Sequence, residues 1–151
     1  MKHLLLFGAV IVTIALVGCH SHKKAAVSNA SPEFSSEVTW KLMEMKGKEV
    51  VLLEGQKEIT IQINPEAGTF GGSNGCNRYF GTFKDDGNGR MILADFNGTK
   101  MACPEAFHKM ESNYMQLLRR CNGYNLGEYT LELTQDGKTL LSFEKMQKPE
   151  E

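Results

Sequence analysis

At 151 residues, with seventeen Lys and Arg against eighteen Asp and Glu, the chain has room for one folded domain plus appendages and a formal charge of −1. So even a balance leaves no electrostatic footprint for nucleic acid or for an anionic lipid surface. The four cysteines, Cys19, Cys76, Cys103 and Cys121, take their meaning from the compartment, which the N-terminus addresses.

Lys2 and His3 make a short polar start, and Leu4 to Ala15 is a nearly unbroken apolar run, too short to span a bilayer comfortably but suited to a signal-peptide core. The ending Leu16-Val17-Gly18-Cys19 resembles a bacterial lipobox. That resemblance implies removal of residues 1–18 and lipidation of Cys19, where palmitate-type chains hold a domain at the membrane by about 0.8 kcal/mol per buried CH₂. A plain secretory signal, or an uncleaved anchor with a chance cysteine, is the alternative. Without Lys2 the mature chain carries sixteen positive against eighteen negative side chains, a charge near −2.

His20 to Ser36 is rich in His, Ser, Lys and Ala and cannot bury enough surface to fold, so residues 19–36 read as a lipidated cysteine and flexible tether. About seventeen such residues reach on the order of 25 Å. His20 and His22 read as solvated. Because no acidic run follows Cys19, the expected location is the outer membrane, facing the periplasm.

Val38, Trp40 and Leu42 alternate with polar residues, as do Val50 to Leu53 and Ile59 to Ile63, which predicts three antiparallel strands. Gly68 to Phe83 reads as strand, glycine-rich corner, strand, with Tyr79, Gly81 and Phe83 on one face and Gly81 marking close approach of a ring or backbone. Lys84 to Arg90 is a turn into Met91-Ile92-Leu93. Its Asp85, Asp86 and Asn88 lack the ligand spacing of a calcium loop.

From Pro104, the residues Phe107, Met110, Tyr114, Leu117, Leu118 and Cys121 recur at helical steps; Arg119 and Arg120 close the last turn and Gly123 follows it. Tyr129 to Leu133 and Thr139 to Phe143 form a hairpin around Asp136-Gly137, and the chain frays from Lys145. The predicted class is α+β: a strongly curved antiparallel sheet, a partly open or closed barrel, with one helix packed against it over residues 37–145, and a tail at 146–151.

Gly72-Ser73-Asn74-Gly75-Cys76-Asn77-Arg78-Tyr79-Phe80-Gly81-Thr82-Phe83, followed by Thr99-Lys100-Met101-Ala102-Cys103, resembles the META-domain proteins, also called HslJ-like. Trp40-Lys41-Leu42, Glu111, Tyr114 and Leu118 extend the resemblance across about residues 38–143. Cys121 and an extra asparagine in the corner depart from the pattern. The resemblance implies a small β-rich envelope or secreted domain without established catalytic residues, in a family some of whose members are associated with stress tolerance and others with motility or virulence.

Against that resemblance, Cys76 and Cys103 are the disulfide candidate, with two packed free thiols as the alternative. Cys121 reads as a buried small hydrophobe. Asn77, Arg78 and Tyr79 are the candidate contacts of a ligand or partner, although Asn77 also suits a turn cap. An open lumen lined by Phe70, Tyr79 and Phe83 would take a small apolar ligand; a filled one favours an envelope protein as partner. Cys76 with His108 as base is the weakest reading, and no catalytic residue is assigned.

Met43, Met45, Met101, Cys76, Cys103 and His108 are soft or borderline donors, which makes a copper-type metal-handling protein the alternative function. They show no tight ligand spacing, so neither a metal site nor a cofactor is assigned. The expected function is a lipid-anchored, non-catalytic binding or structural module of the cell envelope, with no nucleic-acid partner.

Overall fold

The computed structural model describes residues 33–147. The leader, Cys19, the tether through residue 32 and residues 148–151 lie outside the described residues.

Among the described residues, nine strands and one helix follow in the order β1 (Trp40–Met45), β2 (Lys48–Glu49), β3 (Ile59–Asn64), β4 (Thr69–Asn74), β5 (Arg78–Asp85), β6 (Met91–Gly98), α1 (Glu105–Leu118), β7 (Gly123–Leu126), β8 (Thr130–Gln135) and β9 (Lys138–Lys145). The strands form one antiparallel sheet ordered β6-β5-β4-β3-β1-β9-β8-β7, with β2 paired to β1. The sheet curls into a half-barrel whose outer strands approach each other at one bridge, Arg90 to Gly123. The class is α+β, as the strand patterns and the single helical stripe predict.

Alternation decides which side of each strand faces the concave interior. Trp40 and Leu42 on β1, Ile59, Ile61 and Ile63 on β3, Tyr79 and Phe83 on β5, and Leu141 and Phe143 on β9 are all buried. The helix lays Phe107, Tyr114, Leu117 and Leu118 into that interior. Tyr114 sits at the centre, its ring 5.8 Å from Tyr79 and 6.5 Å from Phe143, so the helix ties the two arms of the sheet together. Phe70, Tyr79 and Phe83 are 3, 3 and 5 % exposed within one packed core. The interior is filled where an open lumen would have taken an apolar ligand.

Five local expectations are corrected. Val50 to Leu53 is not a strand, and Val51 and Leu53 are exposed. On that edge of β1, β2 pairs Glu44 and Met45 while β3 pairs Trp40 and Lys41, which leaves room for the single backbone bond from Val50 N to Met43 O rather than for a further strand. The helix ends at Leu118, and Cys121 lies beyond it. Tight turns, with Arg120 N bonding to Leu117 O and Cys121 N to Leu118 O, carry the apolar stripe past the helix end, which is why the periodicity runs long.

Gly123, expected to follow the helix cap, instead opens β7. Phe34, expected within the tether of residues 19–36, packs edge-on against Phe83 at 5.5 Å and tilted against Tyr124 at 4.7 Å, so it belongs to the folded part. At the other end Lys145 belongs to β9, and Met146 N donates to Thr39 O, so the chain is still tied where fraying was expected.

Candidate functional site

The glycine-rich corner joins β4 to β5, and two of its polar residues, Asn74 and Asn77, turn inward. Inward alternation along β4 runs through Phe70 and Gly72 to Asn74, placing a carboxamide at the end of an apolar row. Asn74 Oδ1 accepts the Asn77 N–H at 2.8 Å and the Cys76 N–H at 3.3 Å, closing the turn, while Ser73 Oγ accepts the Gly75 N–H at 3.2 Å. Gly75 takes φ +104°, a conformation that L side chains rarely adopt, and an added Cβ there would lie 2.8 Å from Gln56 Nε2.

Asn77 is 7 % exposed and uses its whole hydrogen-bonding capacity. Its Oδ1 accepts from Thr99 Oγ1 at 2.9 Å and from the Met101 N–H at 2.7 Å. Its Nδ2 donates to Glu111 Oε1 at 3.2 Å and to Cys103 Sγ at 3.3 Å. The same Glu111 oxygen accepts from Asn74 Nδ2 at 2.7 Å. One carboxylate on α1 therefore holds two carboxamides of the corner, and Asn77 also ties in the segment between β6 and α1.

A disulfide between Cys76 and Cys103, with Cα atoms 6.2 Å apart, crosses the same junction. Closing a loop of 27 residues contributes roughly 3.5 kcal/mol in the chain-entropy model. Cys121 is buried as a free thiol, its Sγ donating to Leu117 O at 3.3 Å, and burial pushes it up to about 12.

Beneath the corner, Tyr79 Oη donates to Thr60 O at 2.8 Å and lies 2.6 Å from Tyr114 Oη. Because Tyr79 has one hydroxyl proton and the carbonyl can only accept, Tyr114 is the donor between the two phenols. Burial pushes both well above the ordinary phenol range; donating to Tyr79 adds to the effect on Tyr114 and receiving that bond partly offsets it on Tyr79. Neither phenol is poised for proton transfer near neutral pH.

Of the three candidate contact residues, the structure turns Asn77 and Tyr79 into the fold and Arg78 out of it. Arg78 is exposed, and Phe80, two residues on along the same face of β5, is 53 % exposed. Across from Phe80 stands Gly71. The missing side chain leaves a shallow trough of about 440 Å³ on the outer face, lined by Arg78, Phe80, Gln62, Asn64, Thr69 and Ser36 among others.

The disulfide removes Cys76 and Cys103 from the soft donors, and Met101 and His108 are exposed. Among the described residues no group of three His, Cys, Asp or Glu side chains is placed to hold a metal ion. Asp85 and Asp86 of the β5–β6 turn are engaged locally, Asp85 by Gly87 N and the Tyr124 hydroxyl, Asp86 by Asn88 N and Arg90.

Glu111 and Thr99 are the functional groups that sequence reasoning passed over, although both lie in the quoted motif segments. Glu111 carried a signal: with Phe107, Tyr114 and Leu118 it falls at helical steps on the apolar stripe, and a carboxylate there needs a buried partner.

A family model described as the META domain matches residues 33–147. An NMR structure of a protein from Burkholderia xenovorans is similar in fold, with a TM-score of 0.56 at 21 % identity, covering 83 % of this chain and 99 % of that one. A second structure solved by NMR gives a TM-score of 0.54 at 22 % identity, covering 72 % and 89 %. At these identities the likeness shows the fold. No curated protein matches the chain.

Proposed function

The chain belongs to the META-domain family, and from that premise we propose that it is a lipid-anchored module of the bacterial cell envelope that binds an envelope protein and performs no catalysis. One observation carries this reading. The polar side chains of the corner satisfy one another inside the fold, whereas Arg78 and Phe80 of the same strand stand exposed over the trough at Gly71. The corner works as a rivet and the outer face of β4 and β5 as the contact surface. An exposed aromatic beside a guanidinium that makes no ion pair among the described residues is the composition that interface hot spots favour.

The lipobox-like Leu16-Val17-Gly18-Cys19 and the disulfide both suit a chain exported from the reducing cytosol. The filled interior favours a protein partner over an apolar ligand, and the closed disulfide takes Cys76 away as a nucleophile.

Two measurements test the reading. Cells fed an alkynyl fatty acid should label the full chain and not Cys19→Ala, and only the labelled chain should partition into detergent. A photo-crosslinking residue placed at Phe80 in the intact envelope should give a discrete adduct that Arg78→Glu abolishes. Equal labelling of the two chains would end the anchor; absence of an adduct, or one indifferent to Arg78→Glu, would end the contact surface.

A further inference from the structure

The disulfide is chemically lopsided. Cys103 Sγ accepts a hydrogen bond from Asn77 Nδ2 at 3.3 Å, whereas no hydrogen bond reaches Cys76 Sγ among the described residues. That amide cannot turn away: its other proton is held by Glu111 Oε1, and its oxygen by Thr99 Oγ1 and the Met101 N–H. A donor fixed in this way stabilises negative charge on Cys103 more than on Cys76; the Met101 carbonyl, 3.5 Å from the Cys103 sulfur, opposes this only weakly at that distance. In thiol–disulfide exchange the sulfur whose thiolate is better stabilised departs faster, and the nucleophile ends on the other.

We propose that Cys76 is a specific S-thiolation site: a small thiolate attacks Cys76 Sγ and Cys103 leaves. The nucleophile's electron pair forms the new bond to Cys76 Sγ, the bond between the two cysteine sulfurs breaks, and its electron pair departs on Cys103 Sγ. The products are a mixed disulfide at Cys76 and a Cys103 thiolate retained beside Asn77 Nδ2. No net oxidant or reductant is consumed, since the incoming thiolate is oxidised to the level of the disulfide as Cys103 is reduced. The same amide keeps Cys103 close enough to attack the mixed disulfide and restore the original bond, so the modification is reversible by construction. Both cysteines are partly exposed, which gives a small nucleophile access.

The folded, oxidised protein is treated with sulfite, which attacks one sulfur to leave an S-sulfonate and frees the other as a thiol; N-ethylmaleimide then caps the thiol and peptides are mapped by mass. A parallel arm uses 2-mercaptoethanol at short times with an acid quench, so that the outcome does not depend on the anionic charge of sulfite. The expected result is an excess of roughly fivefold or more of adduct at Cys76 and maleimide at Cys103 in both arms. In denaturing urea, where Asn77 no longer faces the bridge, the partition should become even. Asn77→Ala should lose the bias while keeping both sulfurs, and this separates the hydrogen bond from mere accessibility. If that variant does not fold, the partition in the folded wild type still decides whether Cys76 is the site of attack. An even partition in the folded wild type, a preference for Cys103, or a bias that survives Asn77→Ala in a folded protein overturns the proposal.

Discussion

The amide nitrogen of Asn74 lies 2.7 Å from Glu111 Oε1, across 37 residues of sequence, and joins the glycine corner to the middle of α1. Asn77 donates to that same oxygen, and both asparagines are buried. Glu111→Ala would leave two buried N–H groups without an acceptor, each a loss of order 1–3 kcal/mol. The expected loss of stability is about 3 kcal/mol, read from the urea midpoint at constant slope. Glu111→Gln keeps one acceptor oxygen and should lose about half as much. An Ala variant as stable as the parent would mean that the disulfide alone holds the helix.

What the sequence made legible follows from what periodicity can encode. Ile59, Ile61 and Ile63, or Leu131 and Leu133, announce strands because each inward residue carries its own apolar signal. β7 gave no such signal: Gly123-Tyr124-Asn125-Leu126 is fixed by its pairing to β8 and by the approach of Gly89, whose carbonyl would lie 2.9 Å from a Cβ at position 123. Tyr79 was legible as sharing a face with Gly81 and Phe83, but the direction of Asn77 was not. Alternation along β5 turns Tyr79 inward and Arg78 outward, and that parity depends on where the corner ends.

Gly81 faces inward on β5, directly opposite Phe70 on β4. A Cβ there would come within 2.6 Å of Phe70 Cε1 and collide with the Ala94 carbonyl, a backbone group that cannot swing aside. Gly81→Ala should therefore lose about 3 kcal/mol or more through overpacking. Gly87→Ala, in a turn with φ +77° and open space around it, should lose only about 1 kcal/mol of backbone strain. Thermal melts of the two variants side by side check the ranking; equal shifts would mean that the sheet opens to admit the methyl group.

Reducing the disulfide should weaken the domain without unfolding it, because Asn77, Asn74 and Glu111 hold the same junction independently of the sulfurs. The expected change is a fall of roughly 3.5 kcal/mol in unfolding free energy, with the transition still cooperative. Near-ultraviolet circular dichroism before and after reduction and alkylation reads the tertiary packing directly. Loss of that signal on reduction would show that the carboxamide network cannot stand alone.

Alkaline pH should destabilise the fold in two stages. Cys121 is pushed up to about 12 by burial from an ordinary value of 9.0, so above about pH 9 the unfolded chain has released a proton that the folded one retains. With fewer protons bound in the unfolded state, stability falls as pH rises, by up to about 1.4 kcal/mol per pH unit for one such group. Above about pH 10 the slope should steepen, because Tyr79 and Tyr114 are raised in the fold, chiefly by burial, while their unfolded counterparts ionise. Well below pH 9 none of these groups contributes an appreciable slope. Cys121→Ala should remove the first stage and leave the second, whereas Tyr114→Phe should soften the second and also remove the donor to Tyr79, at about 1 kcal/mol at neutral pH. Urea titrations at pH 8, 9.5 and 10.5 separate the stages, and a flat profile across that range would mean that the Tyr79–Tyr114 pair and Cys121 reach solvent without global unfolding.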